Sequence, residues 1–344
     1  MKLATFDVPT KVGPIPRIGA VVGPADDRLV DLTAACGRML AEHGDARASD
    51  RAAFLVPPDM AAFGAAGAES LMMARQAVAH VQGLPGSGAE ARGPRGETLV
   101  YRRDEVHLLA PVPHPHFIRD FAGFERHLKK TFGDMGFQIP ESWYRRPLCF
   151  MANPGTVIPP ESEVLWPGFT RKLDYELEIC AVIGVGGRDI PVERAREHIL
   201  GFTILNDFSA RDIQPDEMAM RTGPFKSKSW AWGLGPWIVT QDEIPNPGSL
   251  HMAVRVNGET WAQVVPEDMY WTFEQMVAYT STHEDLRPGD ILGSGTVSGG
   301  CGLEINRWVQ PGDVVELEIE KIGILRHRIG QPQSTPASWI PKTQ

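Results

Sequence analysis

Residues 173–214 read LDYELEICAVIGVGGRDIPVERAREHILGFTILNDFSARDIQ. The stretch opens as an apolar run with carboxylates at every second position, Asp174, Glu176 and Glu178. Side chains two apart on a strand share a face, so Glu176 and Glu178 stand side by side, roughly 6.5 Å apart at Cα. Tyr175, Leu177 and Ile179 take the other face, and Cys180, Val182 and Ile183 continue the strand as buried sheet. Two carboxylates aimed into an apolar surface repel each other and are costly to desolvate. A divalent cation removes both problems, and oxygen donors in pairs or triples suit Mg²⁺, Mn²⁺ or Ca²⁺. The competing reading is a half-exposed strand whose carboxylates face water. On the residues alone the two stand about even.

A third carboxylate arrives where such a site needs one. After the Gly-rich turn Gly184–Gly187, residues 192–198 read as a short helix with Pro191 at its start. A strand over residues 202–205 then ends in Asn206-Asp207. A strand–helix–strand unit returns the second strand beside the first, so Asp207 can complete a Glu/Glu/Asp oxygen site.

The chain has 344 residues, enough for two domains or one large one. Residues 1–110 read as a small N-terminal α/β module that serves as scaffold or dimer contact, and residues 111–344 as the domain that carries the chemistry. In the first, residues 28–32 form a strand and Asp31 caps the helix that follows. The Gly- and Pro-rich residues 82–97 mark a linker or exposed loop. No stretch of ~18 apolar residues predicts a membrane span, and no apolar leader follows Met1. A net charge of −9 without a long basic run argues against nucleic acid as a partner. Four scattered cysteines, Cys36, Cys149, Cys180 and Cys301, lack zinc or disulfide spacing and point to reduced thiols in a cytoplasm.

Elsewhere the candidates are single residues on separate elements. From Asp120 onward Phe121, Phe124, Leu128 and Phe132 recur at helical spacing, which predicts a helix with Asp120 near its N-cap and His127 on its polar side. Most lone histidines on helices are surface residues. Arg145 and Arg146 can receive an anion, although such pairs are more often solvated. Lys226 and Lys228 alternate about Ser227, and a lysine near a metal can hold a developing oxyanion. Backbone amides at Gly295-Thr296 can hold a carboxylate or carbonyl, and Glu304 follows shortly after. The tail beyond Arg328 is Pro-containing and expected to pack poorly.

Five ordered blocks, LDYELEICAVIG, NDFSARDIQ, GPFKSKSW, LRPGDILGSGTVSG and GILRHRIG, resemble the fumarylacetoacetate hydrolase superfamily over about residues 110–330. The resemblance implies an α+β, mostly β protein whose catalytic domain is a mixed β-roll, found as a homodimer. It implies Glu176, Glu178 and Asp207 as ligands of a divalent cation, Mg²⁺ first, with Asp120 joining them seven residues before the catalytic His127. It pairs His127 with Glu304 to activate water, and matches Arg211, Gln214, Lys228 and Thr296 to positions that contact substrate or oxyanion. Ala122 and Phe150 stand where family tyrosines belong. Both changes remove polar groups and point away from fumarylacetoacetate itself.

The expected activity is metal-assisted hydrolysis of a carbon–carbon bond in a small, anionic β-dicarbonyl or acylpyruvate-type keto acid. His127, oriented by Glu304, takes a proton from the attacking water, and the expelled enolate is held by the metal and Lys228. Decarboxylation of an oxaloacetate-like acid, or enol-acid hydration or isomerisation, uses the same ligands. A metal-containing binding protein without turnover is the reading from another class.

Overall fold

The structure, a computed structural model, describes residues 1–134, 136 and 138–334. Most of the Pro-containing tail, residues 335–344, lies outside the described residues.

Twelve strands among the described residues form one sheet. Ten of them lie on one continuous path: β1 (Lys2–Thr10), β2 (Gly13–Val22), β3 (Arg28–Asp31), β4 (Val100–Arg102), β5 (Ile118–Phe121), β6 (Cys149–Ala152), β7 (Leu177–Ile183), β8 (Ile199–Asp207), β9 (Trp232–Thr240) and β10 (Ile291–Gly293). Their spatial order is β4-β3-β2-β1-β9-β8-β7-β10-β5-β6. His107–Leu108 pairs with β1, and Val157–Ile158 with β9. The N-terminal strands therefore share a sheet with the central ones, joined where Lys2 and Leu3 pair antiparallel with Val239 and Ile238.

Period-2 alternation gives the sheet two buried faces, which is why its central strands are apolar throughout. Leu177, Ile179, Ala181 and Ile183 of β7 face one core, and Cys180 and Val182 face the other. The first core is closed by a second sheet that includes Met252–Val256, Val314–Ile319 and Gly323–Pro332, and by the helix Phe273–Thr280. Four helices cover the second: α1 (Leu32–Glu42), α2 (Ala48–Leu55), α3 (Met60–Ala65) and α4 (Gly67–Gly83). Asp31 caps α1 by accepting from the Ala34 amide at 2.9 Å. α3 and α4 are separated between Ala65 and Gly67, at a glycine with φ +67°. The chain is α+β and strand-dominated, as expected.

Three local expectations are corrected. Asp120 is not near a helix N-cap: it lies in β5, paired with Gly293 and Phe150, and helix α5 (Glu125–Asp134) begins five residues later. The helical spacing of Phe121 and Phe124 spans a strand end and an isolated β-bridge of Phe124 with Met269. The strand expected to run unbroken from Leu173 is interrupted at Tyr175-Glu176. There the Glu176 amide donates to the Asn206 side chain at 3.1 Å instead of joining the main ladder. Residues 192–198 wind as 3₁₀ turns, and β8 returns beside β7 antiparallel, with Leu177 opposite Asn206. No helix of the described residues is long and apolar enough to cross a membrane.

Candidate active site

Two adjacent strands, β7 and β8, and β5 on the far side of β10 carry carboxylates to one place. Glu178 leaves β7 on the same side of the sheet as Cys180, Asp207 ends β8, and Asp120 rises from β5 across the short strand β10. One oxygen from each of Asp120, Glu178 and Asp207 lies within 4.8 Å of the other two, and all three side chains are buried. Gly293 makes this approach possible. A Cβ there would stand 2.5 Å from Asp120 Oδ1 and 3.0 Å from Glu178 Oε2. Gly295, at φ +80°, adds a backbone N–H to Asp120 Oδ1 at 3.2 Å, and a Cβ on it would meet the Phe121 carbonyl.

Glu176, the fourth expected ligand, stands beside this group but outside it. Arg211 Nη2 donates to its Oε1 at 2.6 Å, and Lys228 Nζ donates to its Oε2 and also to Asp207 Oδ2. Asp174 is turned away: it accepts from Arg211 Nε and from the Gly302 and Leu303 amides. Arg211 also reaches Gln214 Oε1 at 3.0 Å. These two cations are enclosed, with Lys228 only 5% exposed.

Charge follows from this packing. Burial pushes Asp120 up to about 6, and burial with the neighbouring Asp120 charge holds Glu178 well above the carboxylate range. Asp207 is raised by burial despite Lys228. Glu176 moves the other way, because Lys228 and Arg211 outweigh its desolvation. Lys228 is likewise desolvated, yet Asp207 and Glu176 keep it an ammonium. Both Glu178 oxygens and Asp207 Oδ1 are buried without a hydrogen-bond partner. Asp120 and Glu178 can bond each other only through a shared proton.

The residues fit a divalent cation. Unpartnered buried carboxylate oxygens, converging over a glycine that clears the space, are the hard donor set such an ion requires. Asp120, Glu178 and Asp207 are the residues that could hold it, with Glu176 adjacent.

A cavity of about 220 Å³ opens beside the cluster. Asp120, Glu176, Arg211, Gln214, Lys228 and Thr296 contribute its polar lining. Much of the rest is apolar, including Phe124, Leu128, Leu148, Phe150, Met218 and Leu303. Ala122 and Phe150 both line it, with Lys228 Nζ 5.8 Å from the Phe150 ring centroid. Arg145, by contrast, is exposed and paired with Glu141, and neither it nor the exposed Arg146 lines the cavity.

Helix α5 presents His127 to the same cavity. Its Nδ1 is 3.1 Å from Glu304 Oε2, within ion-pair distance but off the line of a hydrogen bond. Glu304 is fixed by the Gly299 amide at 2.9 Å and by the Cys301 thiol at 3.5 Å. The structure thus brings Asp120, Glu178 and Asp207 together, and separately His127 and Glu304. Sequence reading missed Cys301 and most of the apolar wall. The three-residue spacing of Cys301 and Glu304 on a helical turn was the available signal.

Two outcomes follow from this geometry. With its pKa raised from about 3.8, Asp120 contributes stability to the metal-free protein that is present below that value and lost as pH rises through about 6. Glu178 and Asp207 shift in the same direction. Because a cation must displace these protons, a fixed sub-saturating Mn²⁺ concentration is expected to raise Tm more at about pH 7.5 than at about pH 5. Calorimetric melts at both pH values, with and without metal, check this. Gly293→Ala is expected to weaken Mn²⁺ binding about tenfold or more, read by titration calorimetry, because its Cβ displaces two carboxylates.

Residues 116–330, well over half of the chain, match the family model for the fumarylacetoacetate (FAA) hydrolase C-terminal domain. The oxaloacetate tautomerase YisK of Bacillus subtilis is 32% identical over 251 residues, covering 70% of this chain and 79% of that protein. The fumarylacetoacetase of Arabidopsis thaliana is 32% identical over 267 residues, covering 60% of this chain and 63% of its own length. The crystal structure of maleylpyruvate hydrolase from Sphingobium sp. SYK-6, in complex with manganese (II) ion and pyruvate, has the same fold, with a TM-score of 0.66. It is 23% identical and covers 97% of this chain and 100% of that one. The family match and the relatives' coverage together establish that the chain belongs to the fumarylacetoacetate hydrolase family.

Proposed function

We propose that the chain hydrolyses a carbon–carbon bond in a small acylpyruvate-type or other β-dicarbonyl acid. The observation that carries the reading is a His–Glu pair, His127 with Glu304, whose histidine lines the same cavity as Asp120 of the acidic cluster and the buried Lys228. A divalent cation held by Asp120, Glu178 and Asp207, with Glu176 as a further candidate, would supply Lewis acidity to substrate oxygens. Mg²⁺ is the first candidate, and the manganese in the maleylpyruvate hydrolase complex supports a hard divalent ion.

His127 accepts a proton from water as that water adds to the distal carbonyl. Glu304, anchored by the Gly299 amide, orients the ring and stabilises the imidazolium that forms. The carbon–carbon bond then breaks, leaving an acid and an enolate, and the enolate collects a proton to become a ketone. Lys228 is too firmly protonated to serve as a base and acts as a fixed cation where negative charge develops. Arg211 and Gln214 hold the polar end of the cavity, while Phe124, Leu128 and Leu303 exclude bulk water.

A second reading is keto–enol tautomerisation of an oxaloacetate-like acid, favoured by the similarity to the B. subtilis tautomerase over 70% of this chain. Decarboxylation and enol-acid isomerisation share the same residues. The deciding experiment gives chelator-treated protein acylpyruvates, fumarylpyruvate, fumarylacetoacetate and oxaloacetate, with Mg²⁺ or Mn²⁺ restored and products identified. Two organic products from a diketo acid, with kcat reduced about a hundredfold or more in His127→Ala, are the expected result. Accelerated loss of the enol absorbance with no change of carbon skeleton would replace hydrolysis with the tautomerase reading. Full hydrolysis by His127→Ala would remove that residue from the mechanism.

A further inference from the structure

A second group of donors, softer than the acidic triad, joins His127 of the cavity wall to Cys301 and Glu304. His127 Nδ1, Cys301 Sγ and a Glu304 carboxylate oxygen all fall within 4.8 Å of one another. Two of the separations are closer and share one oxygen. His127 Nδ1 is 3.1 Å from Glu304 Oε2, and Cys301 Sγ is 3.5 Å from the same atom.

Zinc bonds of about 2.0–2.3 Å at tetrahedral angles place nitrogen, oxygen and sulfur donors about 3.3–3.6 Å apart. These two separations are therefore near the edges of a zinc tetrahedron without backbone movement. His127 Nδ1 is buried and has no hydrogen-bond partner, so its lone pair is available in the appropriate tautomer. Cys301 lies at the N-terminal edge of the turn Gly302–Ile305 that carries Glu304, which fixes their relation. The nearby Arg211 cation is answered by Asp174 and Glu176. Three protein donors would leave a fourth position for water, as in open zinc sites.

We propose that His127, Cys301 and Glu304 form a second cation site, selective for thiophilic divalent ions such as zinc, whose occupation silences the His–Glu pair. The inhibitory part rests on the role given above to His127 and Glu304. The binding part does not. Selectivity follows from ligand softness: three carboxylates suit Mg²⁺ or Mn²⁺, whereas thiolate and imidazole suit zinc. On binding, the sulfur–metal bond replaces the S–H bond and the thiol proton leaves to solvent, with no change in oxidation state. A filled site occupies the imidazole nitrogen and the carboxylate together, so zinc would inhibit even when Mg²⁺ saturates the acidic triad.

The test uses the full chain saturated with Mg²⁺ and titrated with Co²⁺, a spectroscopic substitute for zinc. The expected result is a thiolate-to-cobalt charge-transfer band that saturates near one equivalent and is bleached by zinc. Cys301→Ala should abolish the band while circular dichroism and Tm report an intact fold. His127→Ala, a change on the cavity wall rather than in the core, should weaken Co²⁺ binding about tenfold or more. Absence of the band in the wild-type protein overturns the proposal. So does a band that survives Cys301→Ala, which would assign it to the exposed Cys149. If Cys301→Ala does not fold, an unchanged Co²⁺ affinity in His127→Ala overturns it instead. Because this readout needs no substrate, failure of the keto-acid panel would count against the proposed reaction and leave the cobalt result to decide the site.

Discussion

Repulsion among desolvated carboxylates is the constraint around which this structure is arranged. Asp120, Glu176, Glu178 and Asp207 are all buried, and like charges in such surroundings cannot all stay ionised without compensation. The protein supplies part of it. Lys228 bridges Glu176 and Asp207, and Arg211 joins Glu176 to Asp174. These contacts leave Glu178 and one oxygen of Asp207 without a partner. A buried group left in that condition costs stability unless something else provides for it. Protons meet that demand at low pH, and a divalent cation at the meeting of β7, β8 and β5 would meet it at higher pH.

The fold answers this constraint through period-2 alternation. On β7, Leu177, Ile179 and Ala181 enter one core, while the face that carries Cys180 and Val182 also carries Glu178. One strand thus anchors the sheet and supplies a ligand candidate without compromise between the two roles. Gly293 does the complementary task by contributing only backbone between β7 and β5. The cavity divides its work similarly. Cations and carboxylates form one end, and aromatic and aliphatic side chains form much of the rest. The His127–Glu304 pair comes from outside the sheet, so acid–base groups and charge-bearing groups are set by separate elements.

Much of this was legible because alternation is local. Glu178 on a buried strand and Asp207 at the end of the next follow from patterns within a few residues of each. Asp120 was harder: Phe121 and Phe124 mimic helical spacing, and the strand identity of Asp120 depends on pairing with Gly293, far away in sequence. The break at Tyr175-Glu176 was hidden for the same reason, since Asn206 captures the amide that would have continued the strand. Pairing between β1 and β9 joins residues more than two hundred positions apart and leaves no periodic trace. Spacing between cysteines carries no trace of the Cys301 surroundings, because its neighbours are a histidine and a glutamate.

Asp120, Glu178 and Asp207 are proposed to hold one divalent cation together. This proposal is tested most directly by a crystal structure of the protein grown or soaked in Mn²⁺, with anomalous difference density used to locate the ion. The expected result is a strong peak within bonding distance of all three carboxylates, with Lys228 retained beside it. Strong manganese peaks only elsewhere, or none at a concentration that saturates binding in solution, would contradict it.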